Sequence, residues 1–436
     1  MRRVILSTLK DWKLEKNHKV LLLRGARQVG KTFIVRELAK DFDHFLEVNF
    51  EKNPDINSFF DQNLDPDRIC TNLAAYYGIP VFDGKTLLFF DEIQSCPKAI
   101  ESLRFFYESK PGLHVIAAGS LLEFALEDLT SWGVGRIRSV YMYPMSFDEF
   151  LLANNEDALI ELKKNASDVN PLNSAFHEKL KDYLKRFLMI GGMPEAIKTY
   201  IGNSSDINLV QNVLSDITIS YNDDFAKYKS RVPVLRLREV MGSVVKQSGG
   251  KYIYSKAGPL SNPPQAKEAL DLLEMAGLVY KVYHTSGQGI PLGSGVNYKV
   301  FKALLHDNGI FQQLAGLRLS ELLMANNIDM LNKGNIAEAF AGVEMIKYAN
   351  VLEKRQLYYW HREKRGSTAE VDYLIEQQGQ VVPVEVKSGS SGKMQSLNLF
   401  IDEKKSQKGI RISLENFSQY GKILVVPLYA VSNLFQ

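Results

Sequence analysis

The stretch Val20-Leu21-Leu22-Leu23-Arg24-Gly25-Ala26-Arg27-Gln28-Val29-Gly30-Lys31-Thr32 joins an apolar run to a glycine-bounded loop. Its apolar run reads as a strand buried on both faces, the kind found in parallel sheets covered by helices on either side. Residues 25–32 then fit G-x-x-x-x-G-K-[ST] at every constrained position, and Phe33 to Asp41 has helical periodicity. Strand, glycine loop and helix in that order give the pattern a physical meaning. The glycines let the backbone of Gly25, Ala26, Arg27, Gln28, Val29 and Gly30 curl so that successive N–H groups point at phosphate oxygens. Lys31 reaches the β- and γ-phosphates, the Thr32 hydroxyl holds Mg²⁺, and the helix adds its positive N-terminal end. ATP and Mg²⁺ are therefore the expected ligands.

Outward from the loop, further strand signals alternate with helical ones. Phe45 to Phe50, Thr86 to Phe90 and Val115 to Ala118 are short apolar runs, separated by helical segments such as Lys98 to Tyr107. That alternation predicts an α/β fold with a parallel sheet. Leu87-Leu88-Phe89-Phe90-Asp91-Glu92 is a buried strand that ends in two carboxylates. Asp91 is placed to hold Mg²⁺, usually through water, and Glu92 to polarise the water that attacks the γ-phosphate. An isolated strand of this kind could equally end in a plain charged turn; the loop before it favours the catalytic reading. The run His114 to Ala118 ends in Gly119-Ser120, where a hydroxyl can position the attacking water or simply close a turn.

With 436 residues the chain exceeds one hydrophobic core, so two or three domains are expected. A net charge of +3 neither demands nor excludes nucleic acid, and any such binding must come from a local basic face. Two cysteines, Cys70 and Cys96, make no disulfide framework and suggest a reducing compartment. No signal-peptide core and no membrane-length apolar run are present, so the expectation is a cytoplasmic protein without a membrane partner.

From Asp148 to Tyr228 the pattern is mostly helical, broken at Gly191-Gly192-Met193-Pro194. Leu235 to Lys246 and Pro264 to Ala276 read as helices, Gly277 to Thr285 as a strand, and Ser286 to Gly295 as a Gly-rich turn, a winged-helix-like order. A DNA-reading helix presents Arg, Lys, Asn or Gln to base edges. Pro264 to Ala276 instead carries Glu268, Asp271 and Glu274 beside Lys267, which favours a protein-contact role.

Near the C-terminus, Glu370 to Glu376 and Val381 to Ser388 flank Gln377-Gln378-Gly379-Gln380. A hairpin turning at Gln378-Gly379 pairs 377 with 380 and so sets Asp372 opposite Glu385, and Glu370 opposite Lys387. Facing carboxylates repel, and a cation between them, Mg²⁺ by its preference for hard oxygens, would relieve this. Lys387 could then orient water or stabilise developing charge. The competing reading is an exposed hairpin with a Glu370–Lys387 salt bridge.

Several pieces together resemble the AAA-type ATPases of bacteria and archaea that carry a C-terminal domain of the DUF4143 type. They are Gly25 to Thr32, Leu87 to Glu92, Gly135-Arg136, Tyr143 to Phe150, Gly191 to Glu195, Tyr359-Trp360, Ala369 to Ile375 and Val384 to Ser388. The resemblance implies a P-loop ATPase core at 1–147, a helical lid at 148–233, a winged-helix segment at 234–315 and a restriction-endonuclease-like α/β domain at 316–436. Ser120 matches a sensor position. Arg136 matches an arginine that contacts the γ-phosphate from its own or a neighbouring copy, with Arg138 as the rival, and Pro194 matches a position near the adenine. The C-terminal constellation resembles the PD-(D/E)xK nuclease fold, with Glu338, Asp372, Glu385 and Lys387 at its site and Gln395 in support. Val371 stands where the eponymous proline would be. Many such domains only bind, so two outputs are expected. One is an ATPase whose C-terminal domain acts on or binds DNA or RNA. The other is a nucleotide-controlled switch whose nuclease-like domain is inactive and recruits a protein partner, with self-association also in view.

Overall fold

The apolar run before the glycine loop becomes a strand next to one edge of a five-stranded sheet, covered on both faces. The computed structural model describes residues 1–120, 122–128, 133, 135–203, 205–225, 232–317, 334–364, 366–389 and 394–435. They fall into two units, Met1–Tyr143 with Asn350–Lys354, and Pro144–Ala349 with Arg355–Gln436.

In the first unit the order is α1 (Ile5–Leu14), β1 (Val20–Arg24), α2 (Lys31–Ala39), β2 (His44–Asn49), α3 (Pro66–Tyr77), β3 (Thr86–Asp91), α4 (Pro97–Ser109), β4 (His114–Ala118), α5 (Leu122–Asp128) and β5 (Ile137–Tyr141). All five strands pair in parallel, in the order β2-β3-β4-β1-β5. Strands β3 and β4 are buried along their whole length. Leu22, Leu88 and Phe90 pack with Leu73, Leu103 and Phe106 from the helices, each worth roughly 1.5–3 kcal/mol of buried apolar surface. Strand β5 has no counterpart among the sequence expectations. It lies at a sheet edge, buries only Val140 among its five residues, and so lacks the apolar run that marks the others. Because the chain leaves β1 toward β2 on one side and reaches β5 on the other, the order reverses at β1. The crevice beyond the strands' C-terminal ends opens there.

The second unit begins with helices α6 (Phe147–Ala153), α7 (Asp157–Lys164), α8 (Ser174–Ile190), α9 (Pro194–Gly202), α10 (Ile207–Phe225), α11 (Val234–Lys246) and α12 (Pro263–Met275). Then come β6 (Val279–Thr285), β7 (Val296–Leu305), α13 (Asn308–Leu314), α14 (Gly334–Lys347), β8 (Leu357–His361), β9 (Glu370–Gln377), β10 (Gln380–Val386), α15 (Gln395–Lys404), β11 (Gly409–Ser413), β12 (Ser418–Tyr420) and β13 (Ile423–Pro427). Its strands form a mixed sheet ordered β12-β13-β11-β10-β9-β8-β6-β7.

Two boundaries differ from expectation. The expected strand Gly277 to Thr285, placed in a separate winged-helix segment at 234–315, becomes β6, which pairs with β7 and joins the C-terminal strands through a parallel pairing with β8, Val282–Leu357 to His284–Tyr359. An open hairpin edge leaves N–H and C=O groups unpaired, and β8 satisfies them. The helices after residue 147 likewise belong to the unit that holds the C-terminal sheet.

The two motifs that flank these helices are built into local polar contacts. Ser146 and Glu149 form a reciprocal capping box at the start of α6. Buried Glu344 of α14 accepts the Phe147 N–H at 2.9 Å and pairs with Lys347 at 3.0 Å, while Lys347 donates to the Met145 carbonyl at 3.0 Å. Lys163, with no exposed surface, pairs with Asp148 at 2.6 Å and also donates to Ser432. At the Gly191–Pro194 break, the Asp307 carboxylate accepts the Gly192 N–H and caps α13 through Ile310 N–H. Pro194 takes the first position of α9, where its missing N–H costs nothing. On α12, Asp271 and Glu274 close on buried Lys281 of β6 at 2.5 and 2.7 Å. That pairing gives two of the helix's three carboxylates a structural role.

Candidate nucleotide site and C-terminal acid cluster

Parallel register brings the first cluster together. Leu23 of β1 pairs with Ala118 of β4, Phe90 of β3 with Ala117, and Asn49 of β2 with Asp91. The C-terminal ends of four strands therefore lie side by side, with the 25–32 loop, Asp91-Glu92 and Ser120 at their tips.

The loop is shaped by backbone conformation. Gly25 has φ +141°, and a Cβ there would overlap the Met142 carbonyl. Gln28 and Gly30 also have positive φ, at 64° and 96°. Arg3 stitches the loop from outside, donating to the Val29 carbonyl and the Tyr143 carbonyl at 2.8 Å each. Buried Lys31 folds back inside it, with Nζ donating to the carbonyls of Gly25 and Ala26 at 2.8 and 2.9 Å.

The Thr32 hydroxyl lies 3.3 and 3.4 Å from the two Asp91 oxygens. A hydroxyl and a carboxylate side by side are the hard-oxygen pair that Mg²⁺ takes at a phosphate loop, so these residues fit the ion. Burial, followed by the neighbouring Glu92, raises the Asp91 pKa, and the Asn49 amide, donating at 3.1 Å, opposes the rise. Glu92 has φ +51° in a tight turn, a conformation a non-glycine residue holds only when its surroundings fix it. Its Oε2 accepts from Gln94 Nε2 at 2.6 Å, and from the Ser120 N–H and hydroxyl at 3.3 Å each. Three donors thus orient one carboxylate oxygen beside the loop.

Arg136 and Arg138 lie elsewhere. Arg136 pairs with Glu108 and Arg138 with Glu15, the latter at 2.5 Å. Pro194 belongs to the other unit.

The second cluster forms in the C-terminal sheet. The β9–β10 hairpin has the anticipated register, Gln377–Gln380 through Tyr373–Val384. Gln378 and Gly379 both have positive φ, as a two-residue hairpin turn requires. Beyond Tyr373–Val384, the Asp372 carboxylate accepts the Val386 N–H at 2.8 Å. A cationic side chain lies beside Asp372, on the side of Glu338 and Glu370. Lys302 of β7, 1% exposed, places its ammonium 2.7 Å from Glu338, 2.5 Å from Glu370 and 3.7 Å from Asp372. The Glu370–Lys387 salt bridge of the competing reading does not form: Glu370 pairs with Lys302, and Lys387 with Glu385 at 2.5 Å. One Glu385 oxygen, Oε2, is buried with no hydrogen-bond partner. Glu338 is raised by burial and then by Asp372, against Lys302; Asp372 is raised by burial, against Lys302 and the Val386 N–H. Burial works to lower the Lys302 pKa, but Glu338, Asp372 and Glu370 together raise it. Among the described residues no three His, Cys, Asp or Glu side chains are placed to hold a metal ion. Gln395 begins α15.

Sequence reasoning passed over Arg3, Asn49, Gln94 and Lys302. Lys302 had a readable signal: a single charge inside Val300-Phe301-Lys302-Ala303-Leu304-Leu305 is a buried charge that must have partners.

Family models match three stretches: an AAA domain over residues 17–151, a domain of unknown function (DUF8612) over 181–322, and another (DUF4143) over 333–431. The DUF8612 match runs across the expected division at 233. No curated protein matches the chain. Among solved structures, a Walker-type ATPase of Pyrococcus abyssi is 14% identical, with 72% of this chain and 95% of that one covered and a TM-score of 0.47. Cdc6p from Pyrobaculum aerophilum is 13% identical over 73% and 92%, with a TM-score of 0.26. The Aeropyrum pernix Orc1 protein, solved in complex with DNA, is 11% identical over 73% and 92%, with a TM-score of 0.25. Among the described residues no helix is long and apolar enough to cross a membrane.

Proposed function

We propose that this chain, which carries an AAA domain at its N-terminus and a DUF4143 domain at its C-terminus, binds ATP with Mg²⁺ and hydrolyses it. The observation that carries the reading is the convergence of Lys31, Thr32, Asp91, Glu92 and Ser120 at adjacent strand ends. Backbone N–H groups of residues 25–32 cradle the phosphates, and Lys31 exchanges the Gly25 and Ala26 carbonyls for phosphate oxygens. Thr32 and Asp91 would hold Mg²⁺, which would supply positive charge against the phosphates. Glu92, oriented by Gln94 and Ser120, accepts a hydrogen bond from the attacking water and takes its proton as the bond to the γ-phosphorus forms. ADP leaves with the electrons of the broken P–O bond.

Arg136 completes such a site only from a neighbouring copy or after release from Glu108. Phosphate release with Mg²⁺ tests the reading. Lys31→Ala should abolish ATP binding, and Glu92→Gln should bind ATP without hydrolysing it. Retained tight binding by Lys31→Ala overturns the proposal.

For the output, the Lys302 contacts favour the nucleotide-controlled switch, with a C-terminal domain that binds a protein partner and does not cut. The other reading is that this domain cuts or grips DNA or RNA at Glu338, Asp372, Glu385 and Lys387. Incubation of the chain with single- and double-stranded DNA and RNA in Mg²⁺ or Mn²⁺ separates them. Cleavage, or binding that weakens steeply with salt, would sink the protein-switch reading.

A further inference from the structure

We infer that Lys302 is the resident cation of the C-terminal acid cluster, its ammonium taking the space and charge-neutralising role of a divalent ion. The inference rests on the nuclease-like reading of this domain and specifies why it does not cut.

The contacts of Lys302 leave little room for a metal. A Mg²⁺ ion needs oxygen ligands at about 2.0–2.1 Å in near-octahedral array. An ion at that distance from Glu338 and Asp372 would sit against an ammonium already 2.7 and 3.7 Å from the same carboxylates. Two such charges at close range in a low-dielectric interior repel strongly. Part of the remaining acceptor capacity is also committed: Asp372 takes the Val386 N–H, Glu370 takes Lys302, and Glu385 Oε1 takes Lys387, while Glu385 Oε2 stays a buried acceptor without a partner.

The lysine cannot easily swing away. Its neighbours Phe301, Ala303 and Leu304 are buried in β7. Its Nζ also sits 5.1 Å from the centre of the Tyr359 ring. Glu338 is held from the helix side, because the Tyr373 hydroxyl donates to its backbone carbonyl at 2.7 Å. The cluster is a packed polar unit whose cation is supplied by the chain.

The test counts Mn²⁺ bound per chain by the loss of the free-ion electron paramagnetic resonance signal, without nucleotide. An Asp91→Asn background removes the ATP-site contribution. With Lys302 present, no Mn²⁺ binding that depends on Asp372 is expected, so adding Asp372→Asn should change nothing. Lys302→Met should gain one Mn²⁺ per chain, lost again with Asp372→Asn, and should melt at a higher temperature when Mn²⁺ is added. Lys302→Arg, which keeps the charge, should gain none. Asp372-dependent binding in the chain that retains Lys302 overturns the inference, as does a folded Lys302→Met chain that gains no ion. Should Lys302→Met fail to fold, the chain that retains Lys302, measured with and without Asp372→Asn, still decides, since that comparison needs only the wild-type lysine. Nucleic-acid cleavage is scored separately, so failure of the switch reading and failure of the metal claim are distinguishable.

Discussion

At the scale of single residues, the nucleotide site depends on one side chain that no motif names. Gln94 donates to Glu92 from two positions along, and it can do so because residue 119 has no Cβ; an alanine there would overlap Gln94 Oε1. Gly119→Ala should therefore push the Gln94 amide away while leaving the buried strand β4 intact. We expect kcat for ATP hydrolysis to fall roughly tenfold, with KM little changed, since a misplaced base costs the chemical step more than binding. Gln94→Leu should behave the same way. Steady-state kinetics check both, and an unchanged kcat in the two variants would remove Gln94 from the positioning of Glu92.

Elements explain how such residues are delivered and where pH enters. Strand β4 carries its chemistry at one end and its packing at the other. His114, at its start, stacks on His18 with ring centroids 3.9 Å apart and meets Trp12 and Phe42 edge-on. Burial, and then the His18 charge, lower its pKa from 6.5 to about 4. Because the folded value lies below the unfolded one, unfolding takes up a proton at acid pH. The stability from neutral His114 is fully present above about 6.5 and is lost as pH falls toward about 4. Denaturant titrations at pH 7.5 and 5 should show a lower midpoint at pH 5, and His114→Phe should reduce that difference. In the loop between β1 and α2, Gly25→Ala cannot be accommodated by a flexible neighbour, because the obstacle is the Met142 backbone carbonyl. Loss of ATP binding together with a lowered melting temperature is the expected result, checked by nucleotide titration and calorimetry.

On the scale of the whole molecule, the segment after Tyr143 is welded by buried charge to helices and turns distant in sequence. Lys163 reaches from α7 to Asp148 in α6 and to Ser432 near the C-terminus. Removing one partner of a buried pair leaves the other charge without compensation, which typically costs about 3–5 kcal/mol. Lys163→Met should lower unfolding stability by that order in a denaturant melt, and a loss well under 1 kcal/mol would contradict it. The parallel sheet, the glycine loop with Asp91-Glu92 and the β9–β10 register were all legible in the order of residues. Those rest on contiguous signals: apolar runs, a spaced motif, and a two-residue turn that fixes pairing. That β6 and β7 belong with the C-terminal strands, that β5 closes the first sheet and that Lys302 enters the acid cluster emerge with the folded chain. Each depends on partners dozens of residues away. Strand β5, with only Val140 buried, shows no apolar run, and a charge reveals its counter-ions only once the chain has folded around it.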